Sequence, residues 1–159
     1  MTALSLPEWT LEGVDGAQAA YRASLAQNWI YECWGAYIAH VKQQAGRKHK
    51  ILVVHIGDVI DGVHHQTTQA LPNATDQINM AAEILTPLAN MATAGLYMCR
   101  GTAAHVGENG SNESIVAQRI GAVAYEHEMI LNMGDFDIDL GHHERAGTRQ
   151  WSSTAARIA

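Results

Sequence analysis

Ile51-Leu52-Val53-Val54-His55-Ile56-Gly57-Asp58-Val59-Ile60-Asp61-Gly62 is the stretch that decides the fold. The run from Ile51 to Ile56 is apolar, rich in β-branched residues and stopped by Gly57, the pattern of a strand buried on both faces. A strand of that kind belongs to a sheet covered by helices, and the flanking segments supply them. Upstream, a helical pattern runs over 17–45, opened by Asp15 as a cap and closed at Gly46. Its proposed inner face is Ala26, Trp29, Ile30, Cys33, Tyr37 and Val41. Downstream, Thr75 opens a helix with Ile78, Ala81, Ala82, Leu85, Leu88 and Ala92 on one side, and Pro87 is expected to kink or divide it.

Leu96-Tyr97-Met98-Cys99 gives a second strand, followed by a glycine-rich loop over 101–110. Ser111 or Asn112 caps a third helix with Ile115, Val116, Ile120 and Val123 facing inward. Met129–Met133 and Phe136–Leu140 flank Gly134-Asp135 as a hairpin. Strict alternation places Phe136, Ile138 and Leu140 on its buried face and both aspartates on the other. Residues 1–14 read as an N-terminal arm. The order helix, strand, helix, strand, helix, hairpin predicts a single α/β domain over 1–159, with a layered sheet, flanking helices and a motif-bearing region over 51–143.

Composition narrows the class. The chain has 159 residues, 47% of them apolar and 16% charged, with a net charge of −6. That apolar content excludes a disordered chain, and the negative charge argues against binding nucleic acid through a strong positive field. No apolar run reaches the roughly 18–20 residues of a membrane span, and the N-terminus lacks a signal-peptide pattern. Cys33 and Cys99 lie in apolar segments and read as buried thiols in a reducing, cytoplasmic setting.

Chemistry concentrates where strands end. The first strand runs into Asp58, Asp61, His64 and His65, the second into Arg100, Thr102 and His105, and the hairpin into His142 and His143. Sites in open α/β sheets form at the carboxyl ends of parallel strands, where loops converge. Carboxylate oxygen and imidazole nitrogen together suit Mn, Zn or Fe. A carboxylate such as Asp58 can bridge two such ions about 3.5–4 Å apart and help them activate water for phosphoryl transfer. His55, alternating within an apolar strand, reads as a satisfied buried histidine, and Trp29, Trp34 and Tyr37 as core or interface.

Three of these segments, in this order, resemble motifs of the calcineurin-like metallophosphoesterases. Gly57-Asp58-Val59-Ile60-Asp61-Gly62 is similar to the second motif of that superfamily. Arg100-Gly-Thr-Ala-Ala-His-Val-Gly107 resembles the altered third motif of its bacteriophage and prophage branch, and Asp139-Leu-Gly-His-His143 the fourth. The aromatic helix around Gln27–Trp34 also resembles that branch. The early Asp-x-His and late Gly-His-x-His motifs are missing, so the chain reads as a truncated, central part of such a domain.

The resemblance implies roles. Asp58 would be the catalytic and metal-bridging carboxylate, with His143, His142 and Thr102 as further metal ligands. His105 would be the catalytic histidine beside the phosphoryl group. Asp61, His64, His65 and Arg100 would support the metal or contact substrate. The implied function is hydrolysis of a phosphomonoester or phosphodiester by metal-activated water, on a phosphorylated small molecule or a nucleic-acid diester, without a membrane partner. The alternative is a catalytically incomplete structural or interaction domain of phage or prophage origin, associating through exposed edge strands or the aromatic helix.

Overall fold

The computed structural model describes residues 4–13, 15–62, 69, 71–106 and 111–142. It is a mixed α/β fold with a central sheet flanked by helices. Three strands form that sheet: β3 (Leu52–His55), β4 (Gly95–Cys99) and β5 (Ala124–Glu126), in the order β3-β4-β5 and all parallel. Parallel neighbours need crossover connections. Helix α2 (Ala74–Ala89) supplies the first, and α3 (Ala103–Val106) with α4 (Ser111–Arg119) supplies the second.

Asn73 caps α2 through Thr75 N–H at 2.8 Å. One side of α2 packs Ile78, Ala82 and Leu85 against Ile60 and Val116 of α4. Its other side packs Met80 and Ile84 with Leu6, Leu71 and aromatic rings of the N-terminal segment. A third cluster, of Val53, Leu96, Met98 and Ala117, joins the sheet to α4 and the end of α2. Pro87 falls within α2 without dividing it. It removes the one ladder bond that its N–H would have given to Glu83 O, and the helix ends two residues later at Ala89.

The N-terminal expectations need correction. Residues 1–14 are not merely an arm, since β1 (Glu8–Glu12) pairs antiparallel with β2 (Gln18–Arg22). The helix expected over 17–45 therefore begins late, as α1 (Leu25–Ala45), with Ser24 and Gln27 forming its capping box. Trp9 and Tyr21 face each other in the hairpin register, and Trp9 Nε1 donates to the buried Asp76 at 3.2 Å. That cross-chain anchoring outweighs the helix preference of Gln18-Ala-Ala.

The inner face of α1 is also rotated from the expected one. Gln27 and Ile38 are buried, Tyr31 and Trp34 pack on the core, and Trp34 Nε1 donates to Ile84 O at 3.1 Å. Trp29, Tyr37 and Cys33 are exposed. Cys33 is thus no buried thiol, whereas Cys99 is one, and burial pushes its pKa up. In α4 the inward residues are Glu113, Val116 and Ala117, while Ile115 is exposed, as is Val123, which lies beyond the end of the helix.

The tail forms the expected hairpin, β6 (Glu128–Asn132) with β7 (Asp137–Gly141), antiparallel and apart from the central sheet. Leu140 is buried and Ile138 half-buried, but Phe136 lies in the turn before β7 and is exposed. The third parallel strand is β5, a stretch to which the sequence reading assigned no element. No helix among the described residues is long and apolar enough to cross a membrane.

Candidate functional site

The loops after β3 and β4 meet at two glycines. Gly57 has φ +75°, and a Cβ there would lie 2.6 Å from Gly101 Cα. A Cβ on Gly101 would collide with the backbone of Asp58. Only glycine permits this approach. It leaves Asp58 itself in the left-handed region, at φ +53°, a conformation that non-glycine residues adopt at a cost.

Asp58 uses its two oxygens differently. Oδ1 accepts from Thr102 N–H at 2.8 Å and from the Thr102 hydroxyl at 3.0 Å. Oδ2 lies 3.0 Å from His142 Nε2 and 4.0 Å from His105 Nε2. Burial opposes ionisation of Asp58, but the two Thr102 hydrogen bonds and the charges of His105 and His142 outweigh it. Its carboxyl stays below the ordinary range.

Both imidazoles are oriented from behind. His105 Nδ1 lies 2.8 Å from Asp61 O, and His142 Nδ1 contacts Ile56 O. A carbonyl oxygen only accepts, so each Nδ1 carries the hydrogen. Each Nε2 is thereby turned toward the same carboxylate oxygen. A neutral imidazole in this tautomer sets a lone pair against negative charge, an arrangement relieved by a proton on Nε2 or by a shared cation. Backbone-anchored Nδ1–H with Nε2 directed inward is also how ligating histidines are held. Carboxylate oxygen and imidazole nitrogen are donor types that divalent transition metals accept. Among the described residues no group of three or more His, Cys, Asp or Glu is arranged so as to hold a metal ion.

Asp58, Asp61, Thr102, His105 and His142, singled out from sequence, thus come together. Asp61 contributes its carbonyl to His105 and lines a cavity with Asp58. The charge of Arg100 acts on Tyr125, and its amide donates to Glu126 O at 2.7 Å. His64, His65 and His143 lie outside the described residues. His55 is not the satisfied histidine expected: its Nδ1 is buried with no partner among the described residues. Burial depresses its pKa, reinforced by His142, with Glu113 and Asp58 pulling the other way.

Sequence reasoning missed Glu113. Fully buried, its carboxylate accepts from Val59 N–H and Gly101 N–H, both at 2.8 Å, and from the Tyr125 hydroxyl at 3.2 Å. It ties the Asp58 loop to the Thr102 loop and to β5. Burial and this carboxylate push the Tyr125 phenol up, against the opposing charge of Arg100. An acid in the first turn of a helix is commonplace, so the local sequence carries no signal that this one points inward.

No protein-family model, curated protein or solved structure matches the chain.

Proposed function

We propose that this domain is a metal-dependent phosphoesterase-like hydrolase centred on Asp58. The observation that carries this reading is the convergence of two backbone-anchored imidazoles on Asp58 Oδ2. Asp58 and His142 would hold a divalent cation such as Mn, Zn or Fe. When bound, the cation neutralises phosphate charge and makes a water more acidic. Thr102 would serve by fixing Asp58 Oδ1, which directs Oδ2 toward the cation.

In the hydrolysis, a water oxygen bonds to phosphorus as the ester P–O bond breaks. The alcohol leaves with a proton that the water gives up. His105, held by Asp61 O, would pass that proton to the leaving oxygen.

The test is metal uptake by calorimetry, together with hydrolysis of a generic aryl phosphate diester and monoester, comparing wild type with Asp58→Ala. Metal-dependent turnover lost in the variant supports the reading. Equal rates, or no metal uptake, overturn it.

The alternative is a catalytically incomplete interaction domain of phage or prophage origin, and one observation favours its interaction role. Leu25, Trp29 and Tyr37 of α1 are 90%, 65% and 52% exposed. Leu25 and Trp29, at i and i+4, are neighbours on one side of the helix, and exposed apolar side chains grouped in this way are the kind that mark association surfaces. Sedimentation analysis of Trp29→Lys against wild type tests it. Self-association lost in the variant supports the interaction reading, and a monomeric wild type counts against it.

A further inference from the structure

A cavity of about 340 Å³ adjoins the Asp58 cluster. One end is formed by His55, Asp58, Asp61 and His105. Leu4, Leu71, Met80, Ile84 and Leu85 form much of the remainder. Cavities of this size hold small organic ligands, and about 150 Å³ of apolar space accommodates a benzene ring.

Several polar atoms on the apolar side are engaged by other groups. Gln77 accepts from Gly62 N–H at 2.8 Å and donates to Gly62 O and Leu71 O at 3.2 and 2.7 Å. The Tyr21 hydroxyl donates to Ser5 Oγ at 3.0 Å, and Gln27 Oε1 accepts from Ser24 N–H at 2.9 Å. A nucleobase seated there would have its polar edge set largely against hydrocarbon and the committed Gln77 amide, at a desolvation cost. A phenyl or branched alkyl group would not.

From this we infer that the ligand of the Asp58 site is a phosphate ester of a compact apolar alcohol, aryl or branched alkyl, with its organic group in this cavity. The inference rests on the hydrolase reading for the phosphate and on the cavity for the organic group, and the two are separable. The chemistry is the hydrolysis already written, with the apolar alcohol as leaving group.

Initial rates with Mn(II) on phenyl phosphate, methyl phosphate and adenosine monophosphate test the preference. Expected is a KM for phenyl phosphate at least about tenfold below the other two, the effect of taking a side-chain-sized apolar group out of water. Equal KM values for phenyl and methyl phosphate, or a lower one for the nucleotide, overturn the inference and leave the hydrolase reading standing.

If no ester is turned over, the hydrolase reading fails while the cavity is tested separately, with phenol as probe on the metal-free protein. A saturable shift of the Met80 methyl resonance, abolished in Ala81→Phe, supports apolar binding beside Asp58. An unmoved resonance overturns it. Should Ala81→Phe not fold, the phenol titration of the unaltered chain decides.

Discussion

Thr102 gives both its backbone N–H and its hydroxyl to the same oxygen of Asp58, so that the other oxygen faces His142 and His105. The carboxylate is thereby aimed rather than merely placed. Thr102→Val keeps the amide bond and removes the hydroxyl. We expect it to raise the Asp58 pKa toward the ordinary value, to weaken cation uptake, and to destabilise the fold by about 1 kcal/mol. Carboxyl NMR titration and calorimetry check the first two effects, and urea denaturation the third.

The pH dependence follows from the same group. The folded pKa of Asp58 lies below its unfolded value, so the unfolded chain takes up the proton first on acidification. The stability that Asp58 contributes is present above the unfolded pKa and disappears as pH falls through the folded one. Wild type should therefore exceed Asp58→Asn in stability at neutral pH, and the difference should shrink in acid. Denaturation curves of both proteins across that range measure it.

Gly101→Ala should cost more than a surface substitution, because the new Cβ meets the backbone of Asp58 rather than a yielding side chain. A loss of about 1–3 kcal/mol is expected, with cation uptake lost as the two loops separate. Alanine at the exposed Gly35, where a Cβ would have open space and the backbone is helical, should be neutral or stabilising. Thermal unfolding of the pair gives the contrast.

Glu113→Gln replaces one acceptor oxygen with an amide donor, leaving Val59 N–H or Gly101 N–H without its partner in a fully buried place. We expect about 1–3 kcal/mol of destabilisation. Hydrogen exchange should quicken at the amide that loses its acceptor.

His55→Leu removes a buried ring nitrogen that has no partner among the described residues, and stability should hold or rise by about 1 kcal/mol. The folded pKa of His55 is depressed, so wild type loses stability as pH falls from the unfolded pKa toward the folded one. The leucine variant should lack that part of the slope in denaturation measured across the same range.

Much of the central α/β unit could be read from the chain because its signals are local. The apolar run at Leu52–His55, its terminating glycine, the turn at Gly134-Asp135 and the period of α2 each declare themselves within a few residues. The N-terminal hairpin does not. Its alternation is short, and Gln18-Ala-Ala favours helix until Trp9 meets Tyr21 and Asp76. The aim of α1 depends on Trp34 reaching Ile84 O, a partner 50 residues away. Within the site, residue types were legible from their place after strands. Glu113 was not, because its role exists only once two distant loops have closed around it.

His142 touches Ile56 O across 86 residues of chain, whereas Thr102 and His105 reach their partners across 44. Longer loops cost more entropy to close, by about 0.6 kcal/mol for each doubling of length. The Asp58–Thr102 half can form with the parallel strands, and the histidine beyond β7 can arrive only when the last hairpin docks. A chain that ends before β7 would keep the residues of the Asp58–Thr102 contact but lack the imidazole that faces Asp58 Oδ2 from the other side.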